Sequence, residues 1–294
     1  MTGLTIAPAD EAELAACLAE RSAQAQSLRI AGGGTRVETD AVQAEARLTT
    51  AAIAGVVTYE PSEMVLIARA GTPLSEIEPM LAEAGQALAF EPPDMRRVLG
   101  HAGEPTVGGM VAANAAGPRR VHAGACRDHL LGVRFVDGQG RIIRNGGRVM
   151  KNVTGLDLGK LLCGAHGTLG VLTEVALKTL PAAPVQATLA FHGVDADGGL
   201  RIFIAALATP FEISGAAFHA GTAWLRVEGL PPQLDYRCER LRMLLRDREI
   251  ETIPLDASRA LWRGLRDLEH LTDGGPLWRI LLKPTDAPPV CRAL

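Results

Sequence analysis

The sequence predicts an α+β protein in two parts, and three observations carry that prediction. Short helical and strand-like segments are mixed through residues 1–180, and they include a hairpin signal, Asp137-Gly138-Gln139-Gly140 between two apolar runs. Pro181-Ala182-Ala183-Pro184 makes a natural boundary, since proline interrupts both regular elements. Beyond it the pattern becomes strand 186–191, helix 199–208, strand 213–219, strand 223–229, helix 233–247 and strand 250–255. That β-α-β-β-α-β order predicts a ferredoxin-like α+β domain over residues 181–294.

Each element has a local reason. Asp10 is a good N-cap, and Leu14, Cys17, Leu18 and Arg21 follow it at helical spacing. Leu28-Arg29-Ile30 reads as a short strand running into a glycine turn. Val56-Val57-Thr58-Tyr59 and Val65-Leu66-Ile67-Ala68-Arg69-Ala70 read as strands separated by a turn at Pro61. Thr72-Pro73-Leu74 opens a helix with proline in its first turn, and Gly85 ends it. Leu131-Gly132-Val133-Arg134-Phe135-Val136 and Arg141-Ile142-Ile143-Arg144 form the arms of the hairpin, and Val171-Leu172-Thr173-Glu174-Val175-Ala176-Leu177-Lys178 a further strand. A last helix is expected over residues 256–271 and a strand around Trp278-Arg279-Ile280-Leu281.

Three glycine-rich runs point toward function: Ile30-Ala31-Gly32-Gly33-Gly34-Thr35-Arg36, then Thr106-Val107-Gly108-Gly109 followed by small residues as far as Gly117, then Gly164-Ala165-His166-Gly167-Thr168-Leu169-Gly170-Val171. Glycine removes the side-chain barrier between backbone N–H groups and a ligand, and consecutive N–H groups in such a turn make a concave nest for anionic oxygen. Thr35 adds a hydroxyl donor and Arg36 a charge. On these residues alone the first run reads equally as a tight turn without ligand, and the second as close helix packing through small side chains. A dinucleotide fingerprint starting at Gly32 needs glycine at 37, where Val37 stands, and no Gly-Lys-Ser/Thr exists for a P-loop. Lys151-Asn152-Val153-Thr154-Gly155 is polar between apolar flanks, a candidate wall of the same site or a solvated loop.

Composition narrows the classes. A net charge of −3 with 4% aromatic residues supplies neither the basic stripe nor the stacking platform of a nucleic-acid binder. No apolar run approaches the roughly 20 residues that span a bilayer, and residues 1–5 lack the basic and apolar regions of a signal peptide. Cys17, Cys126, Cys163, Cys238 and Cys291 are scattered, without a Cys-x-x-Cys pair, so no iron–sulfur or zinc site is expected in this chain and a reducing, cytoplasmic setting is. The histidines show no metal-binding spacing, and His101, His122, His129 and His166 carry no pairing pattern that marks catalysis.

The companions of the glycines resemble the FAD-binding domain of the vanillyl-alcohol oxidase/p-cresol methylhydroxylase superfamily, and within it the FAD-binding E subunits of bacterial glycolate oxidase. The residues that carry this are Ala70-Gly71-Thr72-Pro73-Leu74-Ser75-Glu76-Ile77, Gly85-Gln86-Ala87-Leu88, Phe90-Glu91-Pro92-Pro93 and Thr106-Val107-Gly108-Gly109-Met110-Val111-Ala112. They continue in Gly117-Pro118-Arg119-Arg120, Gly124-Ala125-Cys126-Arg127-Asp128, Gly146-Gly147-Arg148-Val149-Met150-Lys151-Asn152-Val153 and Gly167-Thr168-Leu169-Gly170. The likeness is close over roughly residues 5–180 and loose beyond.

The resemblance implies a p-cresol methylhydroxylase-type FAD-binding domain of two subdomains over residues 1–180, with the flavin extended between them. The implied cofactor-binding residues are Gly32, Gly33, Gly34, Thr35 and Arg36; Thr106, Gly108 and Gly109; Gly117, Gly124 and Arg127; and Gly167, Gly170 and Val171. The pyrophosphate is expected against residues 32–35 and 106–109, and the flavin or ribityl chain near 167–171. Some relatives attach FAD covalently through a histidine in the first glycine loop; residues 30–36 contain none, so a dissociable flavin is expected. The implied partners are a larger flavoprotein subunit and an iron–sulfur subunit, which place the chain in the cytoplasm, at the membrane's inner face through its partners.

Three departures stand out. The family's Gly-Tyr-Asp is Gly155-Leu156-Asp157 here, His166 occupies a position where serine is usual, and the family's closing segment after residue 294 is expected to be lacking. The histidine and carboxylate constellation of a substrate-oxidising flavoprotein is not visible, so an accessory or electron-relay subunit is the expectation. A free-standing FAD-dependent 2-hydroxy acid dehydrogenase, drawing a base from His192, His219 or His270, and a structural subunit that has lost its flavin remain the alternatives.

Overall fold

The computed structural model describes residues 4–36, 43–147, 155–271 and 277–293. The chain divides into two compact units, Met1–Gly117 with Gly124–Ala182, and Pro118–Ala123 with Ala183–Leu294.

In the first unit, strands β1 (Leu4–Ile6), β2 (Leu28–Ala31) and β3 (Ala46–Thr49) form a parallel sheet in the order β1-β3-β2. Helix α1 (Glu11–Ala23) begins where Asp10 predicts, with the Asp10 carboxylate accepting from the N–H groups of Ala12 and Glu13 at 2.9 Å each. Its buried Leu14 and Leu18 pack with Leu48 of β3 and Ile53, while Leu28 and Ile30 of β2 pack against them. Alternation along the strands therefore turns Arg29 and Arg47 toward the opposite face of this sheet.

A second, antiparallel sheet follows: β4 (Val56–Glu60), β5 (Val65–Arg69), β7 (Leu130–Val136), β8 (Ile142–Gly146) and β9 (Val171–Lys178), in the order β4-β5-β9-β7-β8. A small ribbon pairs β6 (Gln86–Ala87) with β10 (Leu180–Pro181). The β7–β8 hairpin turns where expected. Asp137 Oδ1 accepts from the N–H groups of Gln139 and Arg141 at 2.9 Å each, and Gly140 supplies the left-handed φ of +77°.

Helices α2 (Leu74–Glu83), α3 (Arg96–Leu99), α4 (Val107–Ala112), α6 (Cys126–His129) and α7 (Leu158–Leu162) complete this unit; α5 (Arg120–Ala123) groups with the other. Ile77 and Leu81 of α2, Val107 and Met110 of α4, Phe90, and Leu66 and Leu177 of the sheet are all fully buried in one core.

The second unit has the predicted order: β11 (Val185–Phe191), α8 (Ala196–Leu207), β12 (Ile213–His219), β13 (Thr222–Gly229), α9 (Pro231–Leu244) and β14 (Glu251–Ile253). The antiparallel order β12-β13-β11-β14 is ferredoxin-like. Leu189, Leu225 and Val227 face a core shared with α8 and α9. Arg226 and Glu228, their alternates, face away. There Arg226 bonds Ser214 Oγ at 3.1 Å and lies over Trp262 of α10 (Leu255–Arg266), 4.7 Å from the ring centre.

One expected strand is absent. Residues 277–283 form no regular element and precede α11 (Ala287–Ala293). Trp278 is 82% and Leu281 77% exposed. A strand needs a neighbouring edge to satisfy its amides, and among the described residues none pairs with this segment.

Candidate cofactor site

Strand β2 leads directly into the first glycine loop, and the glycines there are demanded by another stretch of backbone. A Cβ on Gly33 would stand 1.7 Å from the Glu104 carbonyl oxygen, one on Gly103 1.9 Å from the Gly33 carbonyl oxygen, and one on Gly32 2.2 Å from Thr106 Oγ1. Loop 32–34 and loop 103–106 thus lie flat against each other. Gly34, at φ +74°, then turns the chain so that the N–H groups of Gly33, Gly34 and Thr35 donate to no described residue. Successive open amides of this kind suit an anion.

The second glycine run behaves differently. Thr106 caps α4, its Oγ1 accepting from Gly109 N–H at 3.2 Å. Val107 and Gly108 donate their N–H groups to the carbonyls of Thr72 and Ala70, at 2.9 and 2.8 Å. The expected second pyrophosphate nest at 106–109 is therefore corrected: these amides are consumed in joining α4 to the segment after β5. Gly108 is required because a Cβ would approach that of Ala70 to 2.6 Å.

In the third run Gly167 has φ +80° and Gly170 φ +152°, and Cβ atoms there would meet Ile30 at 3.0 Å and the Phe135 ring at 2.7 Å. Val171 begins β9. The three runs border one cavity of about 310 Å³, whose wall also includes Arg29, Arg47, His101 and His166. Among the described residues, no Asp or Glu lines it.

Gly32, Gly33, Gly34, Thr35, Arg36, Thr106, Gly108, Gly109, Gly167, Gly170 and Val171 all line this cavity. Gly117, Gly124 and Arg127 do not. Gly117 N–H donates to the Phe90 carbonyl at 2.8 Å. Gly124 makes a left-handed turn at φ +82° with its Cα against the Asp128 carboxylate. Arg127 N–H bonds Asn114 Oδ1 at 3.0 Å. Glycine and arginine in a motif signal a turn or a charge without saying which way it faces. Residues 148–154 lie outside the described residues, so of the candidate wall 151–155 only Gly155 is described.

Arg36 is fixed by donating from Nη2 to the Pro93 carbonyl at 2.7 Å. Next to it, burial raises the Asp94 carboxyl, but hydrogen bonds from Arg96 and the charges of Arg96 and Arg36 outweigh that and hold it below the usual carboxylate range. Sequence reasoning missed Gly103 and Arg47. A strand arginine carries no local mark of a site, whereas glycine at 103, two residues before Pro105, was a visible signal.

Residues 3–146 match the FAD binding domain family. The matched stretch covers just under half of the chain and falls mostly within the first unit. The cavity's donor set fits the anionic part of FAD, with open amides and guanidinium groups and, among the described residues, no carboxylate on the wall. The chain is similar to glycolate oxidase subunit GlcE of Escherichia coli (strain K12), at 40% identity over 237 residues, 80% of this chain and 62% of that protein. It is also similar to D-lactate dehydrogenase of Archaeoglobus fulgidus, at 31% over 182 residues, 60% of this chain and 39% of that protein. Glycolate oxidase subunit GlcD of Bacillus subtilis (strain 168) shares 39% over 93 residues, 31% of this chain and 20% of that protein.

The fold is also that of alkyldihydroxyacetonephosphate synthase, with a TM-score of 0.69 over 92% of this chain and 57% of that one, at 15% identity. The chain thus spans under two thirds of the length of each of these relatives. It is a homologue of FAD-dependent oxidoreductases and of a glycolate oxidase subunit. The α+β class and the resemblance drawn from the sequence are borne out.

Proposed function

We propose that this chain is the FAD-binding subunit of a glycolate oxidase-type complex, in which glycolate is oxidised to glyoxylate and electrons leave through the flavin to an iron–sulfur partner. The observation that carries the reading is a cavity lined by arginines, with no Asp or Glu among its described lining residues, beside the open amides of residues 33–35, in a chain 40% identical to GlcE. When bound, the flavin accepts hydride and releases electrons singly. This chain's residues do the rest: the loop amides and arginines hold the anionic end, and Ile30, Leu162, Val171 and Leu172 form an apolar wall that excludes water.

His101 and His166 line the cavity, but among the described lining residues no carboxylate orients either as a base. Of the alternative bases, His192 belongs to the second unit and bonds Glu251 at 2.7 Å, and His219 stacks on His270 at 4.5 Å. This favours a relay or accessory role over substrate oxidation by this chain alone. No histidine stands within residues 30–36, which supports a dissociable flavin. The partners in this reading are a larger flavoprotein and an iron–sulfur subunit, and the place is the cytoplasm, at the inner face of the membrane. Among the described residues no helix is long and apolar enough to cross a membrane.

The test is to purify the chain alone and with its partners. A yellow protein absorbing near about 450 nm, a property of the flavin itself, is expected in both cases, and dye reduction with glycolate only in the complex. Dye reduction by the chain alone would remove the relay role. Colourless protein that gains no thermal stability from FAD would remove the cofactor role, since a ligand of the folded state must stabilise it.

A further inference from the structure

Parallel pairing places Arg29 of β2 directly opposite Arg47 of β3, and both line the cavity. Like charges in register on neighbouring strands repel, and no Asp or Glu among the described residues lines the cavity. Arg29 and Arg36 have partners within the protein. Arg47 differs: its Nε is shut off from solvent with no hydrogen-bond partner among the described residues. Its Nη2 presses on the first glycine loop, 2.8 Å from where a Gly34 Cβ would be. Across the same cavity, His101 Nε2 is likewise buried without a partner. Two orphaned polar atoms at one cavity, each carrying the full cost of its desolvation, ask for a ligand that accepts hydrogen bonds and carries negative charge.

We propose that Arg47 and His101 are cofactor-binding residues that hold the FAD pyrophosphate together with the open amides of residues 33–35. The proposal rests on the assignment of this cavity to FAD. A pyrophosphate bears two negative charges, enough to neutralise the Arg47 guanidinium. Arg47 reaches such a group as a fork and His101 as a single ring donor. Because the guanidinium is uncompensated without ligand, Arg47 weakens the flavin-free fold and strengthens the loaded one.

The test compares wild type, Arg47→Met, Arg47→Lys and His101→Gln by titrating FAD through its fluorescence at several salt concentrations, together with the Tm of each flavin-free chain. Arg47→Met should weaken FAD binding roughly tenfold to a hundredfold, the loss expected for a charge-assisted bond, and flatten its salt dependence. It should leave the flavin-free Tm unchanged or higher. Arg47→Lys should lose less than Met, and His101→Gln about threefold to tenfold. Equal FAD affinity in wild type and Arg47→Met overturns the clamp while leaving the FAD assignment standing. So does a weakened affinity accompanied by a lower flavin-free Tm, which marks Arg47 as structural. A wild-type chain that binds no FAD overturns the assignment and the clamp together. Should Arg47→Met fail to fold, Arg47→Lys and His101→Gln decide, and wild-type affinity in both overturns the clamp.

Discussion

In the first turn of α1 the Glu11 carboxylate accepts from Thr173 Oγ1 at 2.6 Å and from Arg134 through Nε at 3.2 Å and through Nη2. Burial raises the Glu11 carboxyl, but these bonds and the Arg134 charge outweigh it and hold it below the usual carboxylate range. A depressed folded pKa stabilises the fold above the unfolded value, about 4.3 for glutamate, and that contribution is lost as pH falls through the folded value. Glu11→Gln should therefore cost about 1 kcal/mol at pH 7, with the gap to wild type closing below about pH 4. Urea melts across pH check this, and a gap that persists in acid would show that charge is not the cause. Asp10 was readable as a cap because its partners are two and three residues away. Glu11 was not, because Arg134 and Thr173 are 123 and 162 residues away.

Among the elements, the glycine loops separate by what presses on them. Gly33 has no room for a side chain, since the obstruction is the Glu104 backbone itself. Gly33→Ala should cost about 1–3 kcal/mol of stability, as overpacking does, and weaken FAD by displacing the open amides. Gly138 is the opposite case: nothing lies within 4 Å of its added Cβ. Gly138→Ala should stay within about 0.5 kcal/mol of wild type, measured by the same thermal melts. A tolerated Gly33→Ala would refute the loop-on-loop account. The hairpin makes the same point about legibility. Asp-Gly announces the turn, yet the left-handed residue is Gly140, whose Cα also packs against α1, 2.5 Å from its Cβ position to the Ala15 carbonyl.

At the scale of the molecule, the chain enters its second unit twice, first through Pro118–Ala123 and again from Ala183. Arg119 in the first visit forms an ion pair with Glu228 of β13, the two side chains only 17% and 11% exposed, and Arg226 lies 3.9 Å from the same carboxylate. Removing that carboxylate takes an anion from beside two poorly hydrated guanidinium groups. Glu228→Gln is expected to destabilise the protein by about 3 kcal/mol and to leave FAD affinity unchanged, because every residue lining the cavity belongs to the first unit. Chemical denaturation and flavin titration of one preparation test both halves. A loss under about 0.5 kcal/mol would mean the pair contributes no more than a surface one.

Local chemistry dictated the α+β class, the strand and helix order of residues 185–253, the Asp10 cap and the three glycine runs, because caps, turns and periodicity act within a few residues. Only the assembled fold decided which glycine amides stay open. Those of residues 33–35 donate to no described residue, while those of 107–109 are taken by Thr72, Ala70 and Thr106. It also left Gly117, Gly124 and Arg127 off the cavity wall and set Arg47 beside Gly34. Hydrogen-bond donors are shared out between neighbours far apart in the chain, and no window of sequence contains both parties.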